Sequence, residues 1–178
     1  MKPLHPFRIS VIGTSGSGKT RVSTEISKRL HIKHVELDAI HWRPEWKGRP
    51  INEFRDLVDE ATKGESWVVD GNYSKVRDIV WRKAEILVWL DLPFNIVFWR
   101  IFLRTVNRIV TRKKLWNNNI EGFNALFGPD SMPLWVMKTY WRRKKEYHVL
   151  LSKLEYSHLR VIRLKTIHEV KDWLESIC

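Results

Sequence analysis

The segment GTSGSGKT at residues 13–20 constrains the possible folds more than any other feature of this sequence. It matches the spacing G-x-x-x-x-G-K-[ST], which is typical of a loop that surrounds nucleotide phosphates. The apolar run FRISVI at 7–12 precedes it and predicts a buried strand, and a helix is expected over Lys19–Leu30. A strand, a glycine loop and a helix in this order predict a binding site for ATP or GTP.

Each part of this phosphate loop has an expected role. Lys19 is expected to contact the β- and γ-phosphates, and the Thr20 hydroxyl is expected to bind Mg²⁺. Glycines let the backbone turn so that successive N–H groups point at phosphate oxygens, and the helix adds its positive N-terminal end. The predicted phosphate-binding residues are Gly13, Ser15, Gly16, Ser17, Gly18, Lys19 and Thr20.

Short apolar runs alternate with helical segments along the rest of the chain. Strands are predicted at 34–37, 67–69, 86–90 and 158–164, and further helices at 53–63, 94–114 and 134–154 and after Thr166. This alternation predicts the α/β class, with a parallel sheet covered by helices on both faces in three layers. Because the sequence shows no linker and no repeat, residues 1–178 are expected to form one domain.

Aspartates follow three of the predicted strands, at Asp38, Asp70 and Asp91. Ligands of open α/β sheets bind at the carboxyl ends of the strands, and one acid there normally holds Mg²⁺ opposite the loop threonine. Asp70 and Asp91 compete for this role. Because Pro93 begins a helix just after Asp91, that acid is also placed to cap the helix, and we favour Asp70 as the metal residue.

The segment LDAIHWRPEW at 37–46 places aromatic side chains around Asp38. Asp38 could receive the proton of a phosphoryl-acceptor hydroxyl while His41, Trp42 and Trp46 hold the ring or sugar of the acceptor. A partly buried aromatic corner with a turn at Pro44 explains the same residues. The pattern alone leaves both interpretations open.

Arginines recur every four residues on the helix predicted at 94–114. They are Arg100, Arg104, Arg108 and Arg112. A polar lid insertion at about 115–133 follows, and a basic cluster with Arg142 and Arg143 flanks its other end. Phosphoryl transfer needs cations around the transferring group, so Arg100 and Arg104 are predicted to be catalytic. A solvated basic face is favoured for Arg108 and Arg112, and both interpretations stay open for Arg142 and Arg143.

Composition limits the partners and the compartment. The chain has 32 Lys and Arg against 20 Asp and Glu, a formal net charge of +12, which favours anionic partners such as nucleotides, nucleic acid or an acidic membrane surface. The apolar stretch at 86–99 is interrupted by polar residues and is too short to span a membrane, and no secretory signal is visible. The single Cys178 suits a reducing compartment. We expect a soluble, cytoplasmic protein.

With these pieces placed, the chain resembles the adenylate-kinase-like P-loop kinases, and among them the bacterial proteins labelled DNA topology modulation proteins. The matching segments are IGTSGSGKT at 12–20, LDAIHW at 37–42, WVVDGNYS at 67–74, LVWLDLP at 87–93 and the arginines from Arg100. The resemblance implies a five-stranded parallel sheet in the order 2-3-1-4-5. It also implies that Asp70 lies near Mg²⁺ and that Asp38 lies near the acceptor. Arg100 and Arg104 are implied to lie at the start of the lid. Tyr73, which follows Asp70 where adenylate kinases carry other residues, is added to the predicted acceptor pocket.

Three functions are compatible with these features. The favoured one is a Mg²⁺-dependent phosphotransferase that moves the γ-phosphoryl of ATP to a nucleoside, a nucleotide or another small hydroxyl compound. Its predicted catalytic residues are Lys19, Asp38, Arg100 and Arg104. The alternative is a nucleic-acid-binding ATPase that affects DNA topology, supported by the net charge and by pairs such as Trp99-Arg100. A third places the arginine helix on a membrane surface or a partner, although burial against the sheet would explain the same apolar residues.

Overall fold

A computed structural model describes residues 7–128 and 131–177 of this chain. Pro129 of the predicted lid insertion and Cys178 lie outside the described residues. Within the described part, no helix combines the length and the apolar character needed to cross a membrane.

Five parallel strands form one sheet in the order β2-β3-β1-β4-β5. They are β1 (Arg8–Gly13), β2 (Lys33–Glu36), β3 (Trp67–Asp70), β4 (Ile86–Leu90) and β5 (Arg160–Leu164). The central strands are apolar on both sides, as a parallel sheet between two helical layers requires. Strands β1 and β4 end level, because Gly13 pairs with Leu90, and β1 extends two residues beyond β3, because Asp70 pairs with Val11. The predicted class and strand order are confirmed.

Helices cover both faces of this sheet. They are α1 (Lys19–Leu30), α2 (Leu37–His41), α3 (Ile51–Ala61), α4 (Arg77–Lys83), α5 (Phe94–Val110), α6 (Asn124–Phe127), α7 (Met132–Leu151) and α8 (Ile167–Ser176). One core cluster joins the sheet to α1 and α8, and a second joins its other face to α3, α4 and α7. A third cluster packs α5 against α7 beyond the sheet edge. Helix α5 therefore contributes to the rim above the strand ends, where a ligand site is expected.

The structure corrects two predicted boundaries that bear on the site. Strand β2 ends at Glu36, and Asp38 lies in the first turn of the short helix α2 instead of at a strand end. Helix α5 ends at Val110, because Thr111 follows as its C-cap and Arg112 has a φ of +46°, which no right-handed helix accommodates. Helix α6 lies inside the lid insertion, which was predicted as a loop.

Candidate active site

The phosphate loop turns sharply between β1 and α1. Gly13, Gly16 and Gly18 have φ values of +152°, +86° and +95°, in the region that favours glycine. A Cβ on Gly16 would lie 2.6 Å from the carbonyl oxygen of Val97 in α5. The loop therefore fits closely against α5, and a larger residue would displace one of them.

Lys19 begins α1 and folds its side chain back over the loop. Its ammonium donates hydrogen bonds of 3.0 Å to the carbonyl oxygens of Gly13 and Thr14. Burial lowers the pKa of Lys19 to about 8, while the nearby carboxylates of Asp70 and Asp38 act in the opposite direction. Lys19 thus contacts the loop and lies near enough to two of the predicted site acids for their charges to act on its pKa.

Two hydroxyl groups complete the loop. The Oγ of Ser17 is buried and has no hydrogen-bond partner among the described residues, whereas buried polar atoms normally have one. Thr20 is exposed on the first turn of α1. The first N–H groups of this 12-residue helix have no intrahelical partner and carry its positive dipole end. Together these groups favour an anionic, oxygen-rich ligand.

Asn72 fixes the loop to the end of β3. Its side-chain amide donates to the carbonyl oxygen of Gly13, and its Oδ1 accepts from the Gly13 N–H at 3.4 Å. Gly71, with a φ of +140°, brings the chain to this position, where a Cβ would lie 2.7 Å from the Cβ of Leu37. Asn72, just after β3, therefore fixes Gly13, the residue at which the phosphate loop begins.

Asp70 ends β3 and is 3% exposed. Its Oδ1 lies 3.2 Å from Nε2 of His34. Glu36 pairs with Asp70 across the β2–β3 register. Burial raises the pKa of Glu36, an effect that a hydrogen bond from Trp116 opposes. The carboxyl edge of these two strands is acidic and lies close enough to Lys19 for Asp70 to raise the pKa of that lysine.

Asp91, the competing candidate, is held in ion pairs. Its Oδ2 accepts hydrogen bonds from Nε and Nη2 of Arg163 at 2.9 and 2.5 Å, and its Oδ1 lies 3.1 Å from Nζ of Lys144. Pro93, not Asp91, is the N-cap of α5, so the capping role considered for Asp91 is wrong. Both oxygens of this carboxylate already bind cations of the protein.

Asp38 of α2 and Tyr73 of the segment after β3 are in direct contact. The Tyr73 hydroxyl donates a 2.5 Å hydrogen bond to Oδ1 of Asp38. Burial is the main cause that raises the pKa of Tyr73, and the negative charge of Asp38 is the second. The phenol therefore stays protonated and continues to donate its hydrogen bond. This bond uses one carboxylate oxygen and fixes the orientation of the other.

The aromatic residues predicted for the acceptor pocket contact one another. The His41 ring centroid lies 4.7 Å from those of Trp42 and Tyr73, and Trp42 lies 5.7 Å from Trp46. Phe54 of α3 packs against His41 at 4.9 Å. Burial also lowers the pKa of His41, which favours the neutral imidazole. The structure therefore brings His41, Trp42, Trp46 and Tyr73 into one cluster.

Residues 116–120 of the lid insertion lie on this aromatic cluster. Asn119, which is 4% exposed, accepts from the Trp46 N–H through Oδ1 at 2.9 Å and donates to the carbonyl oxygen of Arg43 through Nδ2 at 2.9 Å. The Trp116 indole donates to Oε2 of Glu36 at 2.7 Å. This part of the predicted lid therefore packs on residues of the predicted acceptor pocket and is linked to Glu36 at the end of β2.

Arg100 and Arg104 both reach the site from α5. Nη1 of Arg100 lies 3.4 Å from the carbonyl oxygen of Ser17 in the phosphate loop. The pKa of Arg104 is lowered to about 10, mainly because the guanidinium is buried and secondly because the positive charge of Arg108 is near. The Nε of Arg104 is buried and, in the part of the chain that is described, makes no hydrogen bond. Arg104 also lies near enough to Lys19 to lower its pKa.

Arg108 does not belong to a solvated face, and that expectation is wrong. Its side chain is 16% exposed, its Nη1 donates to Oε1 of Glu121 at 2.8 Å, and its guanidinium lies 5.9 Å from the Trp116 ring centroid. The reason is that the lid insertion folds back onto α5 and covers Arg108. Arg112, beyond the end of that helix, is exposed as expected.

The two lid-flanking arginines of α7 differ in their surroundings. Arg143 is half-buried, lies 5.8 Å from the Trp135 ring centroid, and its charge lowers the pKa of Lys19 and of Tyr73. Arg142 is exposed. Of this pair, Arg143 is the one whose charge acts on the site.

Sequence reasoning gave no role to several polar residues that shape the site. They are Glu36, Asn72, Asn119 and Glu121. Asn72 could have been suspected, because it follows the Asp-Gly pair at the end of β3. Asn119 and Glu121 lie in a segment without periodicity or motif, and Glu36, at the end of a predicted strand, contacts Trp116 only because the insertion folds back onto the sheet.

One curated protein is similar in sequence to part of this chain. No family model matches the chain. The chain is 29% identical over 102 residues to Uncharacterized protein YqaC of Bacillus subtilis (strain 168). The aligned part covers 56% of this chain and 57% of that protein, so the match spans little more than half of each.

Solved structures of kinases share the fold over nearly the whole chain. A shikimate kinase from Acinetobacter baumannii, in complex with shikimate, matches with a TM-score of 0.57 and is 14% identical in sequence. The match covers 98% of this chain and 91% of the shikimate kinase chain. A gluconokinase from Sinorhizobium meliloti 1021 has a TM-score of 0.53 at 18% identity, covering 96% and 92%. A shikimate kinase from Bacteroides thetaiotaomicron has a TM-score of 0.52 at 15% identity, covering 95% and 94%. The chain has the P-loop kinase fold.

Proposed function

We propose that this protein is a Mg²⁺-dependent phosphotransferase that moves the γ-phosphoryl group of ATP to a hydroxyl of a small-molecule acceptor. One observation carries the proposal: the Lys19 ammonium folds over the phosphate loop onto the carbonyl oxygens of Gly13 and Thr14, and Arg100 donates to the same loop at the carbonyl oxygen of Ser17. The charges of Asp38, Asp70, Arg104 and Arg143 act on the pKa of Lys19, and a loop lysine with acids and arginines near it is the set of groups that phosphoryl transfer needs. The kinase fold of the similar structures supports the reaction class.

On the donor side, the phosphate loop is expected to bind the phosphates of ATP. The Lys19 ammonium would exchange its bonds to Gly13 and Thr14 for β- and γ-phosphate oxygens. The Ser17 hydroxyl, buried without a partner among the described residues, is available to a phosphate oxygen. These groups orient the γ-phosphoryl toward the acceptor pocket.

The Thr20 hydroxyl and the Asp70 carboxylate fit Mg²⁺, because both are the hard oxygen donors that this ion prefers. Mg²⁺ usually keeps several waters and takes only one or two protein ligands beside the phosphates. The described residues contain no group of three or more His, Cys, Asp and Glu that could hold a metal ion. When bound, the ion supplies neutralisation of the phosphate charge.

On the acceptor side, Asp38 is assigned the role of general base. The acceptor hydroxyl oxygen forms a bond to the γ-phosphorus, its proton goes to Asp38, and the bond from the γ-phosphorus to the bridging oxygen of ADP breaks. The Tyr73 hydroxyl holds Oδ1 of Asp38, so the carboxylate keeps a fixed orientation. Positioning of this kind accounts for much of the rate in phosphoryl transfer.

Arg100 and Arg104 are assigned to the transferring group. Arg100 already lies beside the loop at Ser17, and the buried Nε of Arg104 has no protein partner in the described ranges. A fixed cation in a partly dehydrated site stabilises developing negative charge without reorganisation. Arg143, whose charge also acts on Lys19, is placed to assist from α7.

The acceptor is inferred to carry a ring or a sugar. His41, Trp42 and Trp46 offer aromatic faces, and the lid covers them. We also infer kinship with the adenylate-kinase-like kinases labelled DNA topology modulation proteins, on the segments LDAIHW and DGNY at 37–42 and 70–73.

The test is Mg²⁺-dependent ATP consumption, screened against nucleosides, nucleotides and small hydroxyl metabolites, with duplex and single-stranded DNA in parallel. One small molecule should stimulate turnover and appear as its phosphate. Asp38→Asn should reduce that turnover by roughly a hundredfold or more while ATP still binds. The exposed Asp56→Asn serves as control. Stimulation by DNA alone would favour the nucleic-acid-binding ATPase instead.

A further inference from the structure

The outer side of α5 is apolar and exposed. Trp99, Leu103 and Val110 are 59%, 61% and 76% exposed, and their spacing places them on one side of the helix. Val97 and Ile101, on the opposite side, are fully buried. Burial against the sheet, the explanation expected from the sequence for this helix, does not apply to the three exposed residues.

Ring contacts extend this surface onto α7. Trp141 is 55% exposed and stacks on Phe94 with a centroid distance of 4.7 Å. Phe94 contacts Phe98 at 5.7 Å, and Phe98 contacts Trp99 at 6.2 Å. We define the outer face as Phe94, Phe98, Trp99, Leu103, Val110 and Trp141. Contiguous apolar surface of this kind marks an interaction site more often than bare solvent contact.

Cations accompany the outer face. Lys138 and Lys145 are exposed on α7, three residues before and four residues after Trp141, so they share its side of the helix. Exposed cations also follow the end of α5, at Arg112, Lys113 and Lys114.

Acidic side chains do not offset this charge. The segment Phe94–Val110 contains no Asp and no Glu. The one acid of α7, Glu146, forms an ion pair with Arg77 at 2.8 Å. The surface is therefore apolar with a positive border.

We propose that the outer face docks on an anionic membrane surface, with its apolar side chains at the headgroup boundary and its lysines at the lipid phosphates. Apolar and aromatic residues bordered by Lys and Arg are the pattern of interfacial helices that lie on a bilayer without crossing it. A second copy of the chain is disfavoured as the occupant, because each copy carries a formal charge of +12. Single-stranded nucleic acid binds by base stacking, which the exposed aliphatic Leu103 and Val110 cannot provide.

The test is co-sedimentation of the full chain with phosphatidylcholine vesicles and with vesicles that also contain phosphatidylglycerol. Binding is expected only to the anionic vesicles. The pair Trp99→Ser and Leu103→Ser should lower the partition coefficient by roughly tenfold or more. The matched apolar control is Leu154→Ser, because Leu154 is 91% exposed outside the outer face.

Charge is tested separately. The pair Lys138→Glu and Lys145→Glu should lower binding to anionic vesicles by roughly fivefold or more for each residue. The pair Lys28→Glu and Lys171→Glu makes the same change in net charge on α1 and α8, where the side chains are 69% and 73% exposed, and should have a smaller effect. Circular dichroism confirms that each variant is folded.

Four results would overturn the proposal. The first is equal binding to the two vesicle types, and the second is an equal loss of binding in the control variants. The third is that the outer-face variants weaken binding to an oligo-dT strand while vesicle binding is unchanged. The fourth is that light scattering shows a dimer which the Trp99→Ser and Leu103→Ser pair converts to a monomer.

Discussion

Replacing Asp70 or Asp91 by asparagine tests whether Asp70 binds Mg²⁺, as proposed, and whether Asp91 stabilises the fold. Asp70 ends β3 and Asp91 follows β4, the strands on either side of β1, and both side chains are buried, at 3% and 7% exposure. Asparagine keeps the size of the side chain and removes its charge. The two variants are therefore matched controls for each other.

Asp91→Asn is expected to destabilise the fold. Its carboxylate binds Arg163 through two hydrogen bonds and Lys144 through one ion pair. A hydrogen bond to a charged group contributes about 1.5–3 kcal/mol, but both cations are partly exposed, at 30% and 38%, and regain water when released. Arg163 also keeps its contact with the Trp89 ring at 4.5 Å. We expect a loss of about 2 kcal/mol in the free energy of unfolding.

Asp70→Asn is expected to leave stability within about 1 kcal/mol of the original, because an asparagine oxygen can still accept from His34. The loss of charge removes the proposed Mg²⁺ ligand. Acceptor-stimulated turnover should fall by roughly a hundredfold or more, since metal neutralisation of a phosphoryl group is worth several kcal/mol.

The assays are urea unfolding, followed by tryptophan fluorescence, and ATP turnover as a function of Mg²⁺ concentration. For a chain of this size the urea dependence is about 2 kcal/mol per molar, so the Asp91→Asn midpoint should fall by about 1 M. If Asp91→Asn abolishes the Mg²⁺ dependence without moving the urea midpoint, and Asp70→Asn does the reverse, the two roles have been assigned the wrong way round.

Three further predictions test other parts of the site. Burial lowers the pKa of Lys19 to about 8, and phosphates bind the protonated form of this lysine. ATP affinity measured by calorimetry should therefore fall by about tenfold for each pH unit above that value, and an affinity that stays constant up to about pH 10 contradicts the prediction. Asn119→Ala removes the hydrogen bonds from the lid to Trp46 and Arg43, so the ratio of ATP hydrolysis to acceptor phosphorylation should rise several-fold with an unchanged KM for ATP, and an unchanged ratio argues against a lid. Gly16→Ala forces a Cβ to 2.6 Å from a carbonyl oxygen of α5 at a φ of +86° and should weaken ATP binding by roughly tenfold or more, whereas Gly64→Ala, with open space around it, should not; equal effects of the two would remove the steric argument.

The regular elements near the phosphate loop could be predicted almost to the residue. Helix α1 runs over Lys19–Leu30 and β4 over Ile86–Leu90, as expected, because the loop spacing and a five-residue apolar run have sharp ends. The end of β2 was harder to predict. Leu37 is apolar and continues the pattern of the strand, but it is buried as the first residue of α2. Local pattern cannot distinguish these two forms of burial.

The contacts of the lid insertion could not be predicted from the sequence. Asn119 and Trp46 are 73 positions apart, and Trp116 and Glu36 are 80 apart. Polar segments without periodicity carry no signal for such pairs, since the partners depend on how α5 and α7 return the chain to the sheet. The same limit explains why Arg108 was expected to be solvated: its partner Glu121 lies in that segment.

The docked lid also bears on how Asp38 could select its substrate. A carboxylate placed to take the proton of an acceptor hydroxyl can equally take a proton from water, and the reaction would then be ATP hydrolysis. Selective transfer therefore requires that water is excluded from the acceptor pocket until the acceptor fills it. Trp116 and Asn119 of the predicted lid contact Trp46 of the proposed acceptor pocket, and none of the three is a predicted catalytic residue. Under the proposed function, the contacts of this polar segment control whether the chain acts as a kinase or as an ATPase.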